Sequence, residues 1–263
     1  MFGIASFSII PIKKEPSHRS ETVNQLLFND LVKVIDKIDE WIYIESIDDK
    51  YVGWCQEVLI MPLNDEEFVS QSKINKKFNP FPSIIIEDVN SKDKINLPFG
   101  CSLSIENQYV ILNNRKFNLE IELYKPNSNL SESIVECALI YLNTPYLWGG
   151  KTVFGTDCSG FSQTVFRMNG IQLPRDAYQQ AEIGTTIDFI EEAKAGDLAF
   201  FDNLEGKITH VGIMLSSETI IHASSYVKIN KIDHVGIFDE KTNKYSHQLR
   251  IIKRVDNLQQ DFK

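Results

Sequence analysis

The chain has no C-x-x-C pair. Its four cysteines, Cys55, Cys101, Cys137 and Cys158, are scattered through 263 residues, so a zinc ribbon or a thioredoxin motif is unsupported. In a chain this long an even cysteine count does not argue for disulfides, and the thiols read as reduced. Long hydrophobic runs are also missing. The longest early one, Phe2 to Ile12, is short and contains Gly3, Ser6 and Ser8, too little to cross a membrane. It makes a poor signal peptide, because Lys13 and Lys14 follow the run instead of preceding it. The expectation is a cytoplasmic protein, although a protein trimmed of its leader would read the same. Positive charge is short too. With 27 Lys and Arg against 36 Asp and Glu the net charge is −9, a balance that repels nucleic acid and anionic membrane.

What is present is an ordinary globular composition, 43% hydrophobic and 24% charged, enough for real cores. From Ile4 to Met61 short apolar runs alternate with turns. Val32 and Val34, then Trp41, Tyr43 and Glu45, recur with period two, and "YVGWC" reads as a short strand. Closely spaced short strands suggest a small barrel; a helix over "ETVNQLLF" is the rival reading. Residues 62–125 repeat that β-rich texture, punctuated by Pro80, Pro82, Pro98 and Gly100, and suggest a second barrel. No strict repeat relates the two segments. "KPNSNLSES" (125–133) reads as a linker ending in helix caps, Ser131 or Ser133, with Glu136 completing a capping box. In the helix that follows, Ile134, Ala138 and Tyr141 form one stripe, widened by Val135, Leu139 and Leu142. The texture then becomes α+β, and four strands, over 197–201, 208–215, 219–225 and 248–255, read as an antiparallel set.

Cys158 lies in "GTDCSGFSQTVF", after a glycine-rich turn and before Phe161, Val165 and Met168 at helical spacing. A helix N-terminus favours thiolate over thiol and offers N–H groups to an oxyanion. A buried structural cysteine is the commoner fate of a free thiol. A thiol nucleophile needs a base, and His210 and His222 follow on successive strands. Alternation sets Ile208, His210, Gly212 and Met214 on one face of their strand. The other face is more apolar, so His210 is expected to look away from the main core. The two histidines share a face only if the loop between them has an odd number of residues or the hairpin carries a bulge; centred on Ser216, the hairpin would oppose them directly. Cysteine, then strand histidine, then polar orienter is the papain order, with a thiolate–imidazolium pair at its centre.

The spaced set D-C-S-G-F, L-P-R-D, G-D-L, H-V-G and H-A resembles the NlpC-type papain-like cell-wall endopeptidases, over about 120 residues from 132 to the C-terminal strand. "IIPIKKEPSHRSETVNQLLFND" and "YVGWC" resemble the bacterial SH3-like domains that accompany them. The resemblance implies an α+β fold, a papain-like catalytic domain (129–263) preceded by two small SH3-like β-barrels (1–61 and 62–128). It makes Cys158 the nucleophile, His210 the base, His222 the third polar residue and Tyr146 a group near the oxyanion site, with no metal or other cofactor. One branch of the family is cytoplasmic and recycles murein peptides, cutting L-Ala-γ-D-Glu from a diamino acid. In that branch an acidic cluster reads the free amine of L-Ala. Carried over, Asp176, Tyr51 and Glu21 become amine partners, and Asp157 and Ser159 line the same subsite. Ala177 departs from the serine many relatives carry there. Arg175 and Asp197 read as fold-holding. The competing expectations are an exported peptidoglycan hydrolase with wall-binding SH3-like domains, and a non-catalytic module that binds wall peptides.

Overall fold

The computed structural model describes residues 1–74, 76–119 and 129–255. They divide into two compact units on either side of Lys125.

The first unit is built from two antiparallel sheets. One contains β1 (Phe2–Ala5), β2 (Ile9–Lys13), β3 (Thr22–Leu27), β4 (Leu31–Ile38), β5 (Trp41–Ser46), β6 (Val52–Gln56) and β7 (Ile60–Leu63), in the order β3-β2-β6-β5-β4-β1-β7. The stretch with a rival helical reading is therefore the strand β3. A helix follows, α1 (Asp65–Lys73), which the β-rich texture of 62–125 concealed. Its signal was legible: Asn64 and Glu67 form a capping box, with Glu67 N–H donating to Asn64 Oδ1 at 2.9 Å. The second sheet holds β8 (Lys76–Phe78), β9 (Ser83–Asp88), β10 (Lys94–Pro98), β11 (Ser102–Glu106), β12 (Tyr109–Leu112) and β13 (Arg115–Asn118), in the order β10-β9-β13-β12-β11-β8.

Neither sheet closes on itself among the described residues, since the edge strands of each do not pair with one another. The two small barrels expected here are open sheets. Their physical unity comes from packing. Ile4, Leu27 and Leu63 from the first sheet, with Phe28 in the turn after β3, share a core cluster with Ile86, Leu103, Val110 and Phe117 from the second. The boundary expected at 61/62 falls inside β7. Of the β-rich stretch expected over 62–125, residue 75 and residues 120–125 lie outside the described residues, as do linker residues 126–128.

The second unit begins with α2 (Leu130–Leu139). Its cap is Asn129, whose side chain accepts from Ser131 N–H at 3.1 Å; the serines expected to cap lie inside the helix. Its buried stripe is Ser133, Ile134, Cys137, Ala138 and, just beyond, Tyr141, whereas Leu139 and Leu142 are exposed. A short hairpin, β14 (Lys151–Thr152) and β15 (Gly155–Thr156), leads into α3 (Cys158–Met168), which is buried on nearly every side. Then come α4 (Ala177–Gln180), β16 (Thr185–Ile187), β17 (Leu198–Asp202), β18 (Ile208–Met214), β19 (Thr219–Ser224), β20 (Tyr226–Ile232), β21 (Gly236–Asp239) and β22 (Lys244–Arg254). The sheet runs β16-β22-β17-β18-β19-β20-β21, and β22 also pairs with β21, closing a six-stranded ring. Phe201, Met214, Ile220, Ile237 and Ile252 pack together as one cluster of that ring. Burying a phenylalanine such as Phe201 stabilises by roughly 1.5–3 kcal/mol relative to leaving it exposed. The strands expected over 197–201, 208–215, 219–225 and 248–255 are all present, and β20 and β21 complete the set.

Candidate active site

Asp157 caps α3, accepting from Gly160 N–H at 2.7 Å and from Gly149 N–H at 2.8 Å. That cap sets Cys158 at the first helical position. Glycine at 160 is required sterically, since a Cβ there would stand 2.1 Å from the Gly150 carbonyl oxygen. Several polar side chains of this buried helix hydrogen-bond within the protein. Ser162 donates to Gln180 Oε1 at 2.7 Å, Gln163 to the Leu173 carbonyl at 2.8 Å and Thr164 to the Gly160 carbonyl at 2.9 Å.

Arg175 explains why the loop before α3 holds its shape. Its guanidinium forks onto both carboxylate oxygens of Asp157, at 3.0 and 2.5 Å, and donates to Ser159 Oγ at 2.8 Å. All three residues are buried. Asp157 and Ser159 were expected to line a substrate subsite; their polar atoms are instead committed to Arg175, to one another and to two backbone N–H groups. Arg175 is fold-holding as expected, and so is Asp197, which receives Arg254 Nε and Nη2 at 2.8 and 2.7 Å.

The Cys158 sulfur hydrogen-bonds with the backbone of Val211, the residue after His210 on β18. The nucleophile candidate and the strand of the base candidate are thereby adjacent. β18 and β19 are joined by Leu215-Ser216-Ser217-Glu218, and Leu215 N–H donates to the Thr219 carbonyl at 2.9 Å, which continues the pairing and leaves the three residues Ser216 to Glu218 as the turn. The odd loop needed for a shared face is present, but its centre is Ser217. His222 therefore stands opposite Gly212 instead of His210, and the two imidazoles meet on the diagonal. Gly212 makes room for this: a Cβ there would come within 2.9 Å of His222 Cβ. His210 does not look away from core. Its face carries Met214 and pairs with Phe201, both members of the ring cluster, so both faces of β18 are buried.

The hydrogen bonds orient the rings. Asn230 on β20 donates its amide to the Phe238 carbonyl at 3.2 Å, leaving Asn230 Oδ1 to accept from His222 Nε2 at 3.1 Å. His222 Nδ1 must then accept, and it meets His210 Nε2 at 2.8 Å. His210 Nε2 therefore carries a proton, and His210 Nδ1 carries the lone pair. Asn230 was not singled out in the sequence, nor was His247, whose ring stacks on His210 with centroids 4.1 Å apart.

Burial decides ionisation here. It pushes the Cys158 thiol up to about 12, the Asp157 carboxylate pushing the same way, against smaller contributions from the Val211 and Ser159 backbone and Arg175. Burial likewise holds His210 well below its ordinary value and His222 at about 4. The expected thiolate–imidazolium pair is thus replaced, at rest, by a neutral thiol and a neutral imidazole. The first physical reason is burial of both groups; Asp157 adds to it at the thiol, because its charge occupies the helix end whose positive potential was to stabilise the thiolate.

Tyr146 is half-buried, its N–H donating to the Ser225 carbonyl at 2.9 Å. Burial raises its hydroxyl and electrostatic interaction with the Cys158 and Asp157 side chains raises it further, which keeps the phenol protonated and a donor. Asp176 is partly buried at the start of α4, its N–H meeting Gln179 Oε1 at 3.3 Å. Tyr51 and Glu21 belong to the first unit. Tyr51 is partly buried just before β6, and Glu21 is exposed, 3.8 Å from Lys14.

Comparison with known proteins gives this geometry a family. Residues 143–254 match the NlpC/P60 family, and residues 12–57 match the bacterial dipeptidyl-peptidase Sh3 domain. The Bacillus subtilis (strain 168) protein called gamma-D-glutamyl-L-lysine dipeptidyl-peptidase is 31% identical over 219 residues, 76% of this chain and 71% of that protein. Dipeptidyl-peptidase 6 of Lysinibacillus sphaericus is 26% identical over 83% of this chain and 87% of its own length. The crystal structure of an NlpC/P60 family protein from Bacillus cereus ATCC 10987 superposes with a TM-score of 0.83 at 19% identity, covering 97% of this chain and 99% of that one, a likeness of fold. With a helix-start cysteine beside a strand-borne pair of imidazoles, and with a relative at this identity matched along most of its length, the chain belongs to the NlpC/P60 family of cysteine peptidases and carries an N-terminal bacterial SH3 domain.

Proposed function

We propose that the protein is a cysteine endopeptidase that hydrolyses the bond between γ-D-Glu and a diamino acid in murein peptides with a free N-terminal L-Ala. The observation that carries the chemistry is the run Cys158, His210, His222, Asn230, in which each hydrogen bond after the sulfur has one permitted direction. The names of the relatives support the substrate class, and lysine is the diamino acid those names contain.

His210 Nδ1 takes the thiol proton as the sulfur attacks the carbonyl carbon. With the thiol pushed up to about 12 and the imidazole held low, the proton moves together with C–S bond formation, not before it. The imidazolium so formed is a strong acid and readily protonates the leaving amine. His222 accepts from His210 Nε2–H and keeps the ring turned toward the sulfur, while Asn230 keeps His222 in the accepting tautomer. The Tyr146 hydroxyl and the first N–H of α3 receive the oxyanion. A water activated by His210 then releases the acyl group. Asp176 is assigned to the ammonium of L-Ala, where a charge-assisted hydrogen bond forms only with the free amine. The catalytic part spans 129–263.

Incubation with L-Ala-γ-D-Glu-L-Lys and its diaminopimelate counterpart tests the reading by mass spectrometry of the products. Folded protein that releases no diamino acid from either defeats it. Recycling of liberated peptides predicts a sharp loss of turnover when L-Ala is N-acetylated; equal rates on free and blocked peptides remove the amine-recognition part. Cell fractionation tests the cytoplasmic setting that goes with it.

A further inference from the structure

His247 is a buried-side imidazole that the reaction above does not use. It stands on β22 opposite Ile237, on the same inner face of the ring as His210 and His222. Its ring stacks on His210 at 4.1 Å and lies 5.6 Å, edge on, from His222. One ring nitrogen from each of the three lies within 4.8 Å of the other two.

We propose that His210, His222 and His247 form a binding site for a borderline divalent cation of the zinc type, and that its occupancy takes the catalytic imidazole out of use. Three imidazoles on one face are the donor set such an ion prefers, with a fourth position left for water. Zinc–nitrogen bonds of about 2.0–2.1 Å require nitrogens about 3.3 Å apart in a tetrahedron. The closest pair, at 2.8 Å, must open slightly and the widest must close, which ring rotation can supply. The His210–His222 hydrogen bond is given up, and the ring that donated it shifts its proton to its other nitrogen where the freed atom coordinates. No carboxylate belongs to the set, so magnesium and calcium are not candidates. A cavity of about 500 Å³ lined by His234, Val235, Tyr245, His247 and Leu249 offers an approach. Lys228, whose charge acts on all three rings, opposes the ion and makes the site weaker than a structural zinc site. A weak, reversible site suits inhibition.

Binding at this site is independent of the peptidase reading; inhibition rests on it. Zinc alone is titrated into the metal-free full chain near neutral pH, followed by calorimetry and by competition with a chromophoric chelator. One ion per chain is expected, with His247→Gln weakening it by roughly tenfold or more and Cys158→Ala binding as the unmodified chain does. If His247→Gln does not fold, ring-nitrogen NMR of the unmodified protein decides: zinc should shift His210, His222 and His247 and leave His18 and His234 in place. No stoichiometric binding, or binding lost in Cys158→Ala and kept in His247→Gln, overturns the site. Peptide hydrolysis should fall as the site fills and return with chelator. A chain that binds one zinc yet cleaves no murein peptide would refute the peptidase and keep the site. A chain that cleaves and binds no zinc would do the reverse.

Discussion

Asn230→Leu isolates the part of the relay that no sequence motif marks. The asparagine holds His222 through one bond of 3.1 Å to Nε2, while its own amide is committed to the Phe238 carbonyl. Leucine keeps the bulk, removes the acceptor and leaves no space for a replacing water. A neutral hydrogen bond of this kind biases the structure by about 0.5–1.5 kcal/mol. Lost from the tautomer balance of His222, that energy turns part of the population round, so that Nδ1 donates and His210 Nε2 accepts. His210 Nδ1 then carries the proton and cannot act as base. At 1.36 kcal/mol per factor of ten, the tautomer ratio should shift about 2- to 12-fold against the accepting form, and kcat should fall measurably but by no more than that factor, with KM nearly unchanged because Asn230 is not assigned to the substrate. Steady-state kinetics on L-Ala-γ-D-Glu-L-Lys supply both numbers, and His222 ring-nitrogen shifts report the tautomer directly. An unchanged kcat would refute the argument, as would a loss as deep as that of Cys158→Ala.

Four other outcomes follow from the same geometry. The resting thiol is neutral, so the rate of Cys158 alkylation by iodoacetamide should keep climbing with pH beyond 9, toward the value of about 12 set by burial; a plateau reached by neutral pH would restore the thiolate–imidazolium pair. His222 is depressed from 6.5 to about 4, so the unfolded chain binds its proton first as pH falls. Stability is then complete above 6.5 and lost between 6.5 and about 4 by roughly 3 kcal/mol, His210 adding in the same direction; urea unfolding curves that coincide at both ends of that window would contradict this. Arg175→Met strands the buried Asp157 carboxylate and should cost roughly 3–5 kcal/mol in the same assay, a loss within error of zero meaning that the pair does not hold the loop. Gly212→Ala forces a Cβ against Ile220 and His222, at 2.7 and 2.9 Å, and should lower kcat while the chain still unfolds cooperatively; full activity would show that the diagonal meeting of the imidazoles is unimportant.

Much of the second unit was readable because its signals are local. Helical spacing of Phe161, Val165 and Met168 located α3 and put Cys158 in its first turn, and alternation located the strands of His210 and His222. The demand for an odd loop or a bulge was a parity condition for a shared face; the turn actually formed, and its centre one residue beyond Ser216, were decided by the fold. The misses share a cause. Asn129 displaced the expected serine caps because several capping residues crowd one stretch, and α1 was hidden by its β-rich surroundings although Asn64 and Glu67 announced it.

By itself, then, the sequence determined which residue types stand at which ends of which elements: a thiol opening a helix and two imidazoles on neighbouring strands. Only the tertiary structure decided what charge those groups carry and who completes them. Ionisation depends on burial and on Asp157, Arg175 and Lys228 acting through space. Asn230 and His247 arrive from β20 and β22, brought in by a ring of strands that closes through pairings distant along the chain. Desolvation and non-local pairing leave no periodic trace in a sequence, because both are properties of what surrounds a residue and not of its neighbours in the chain.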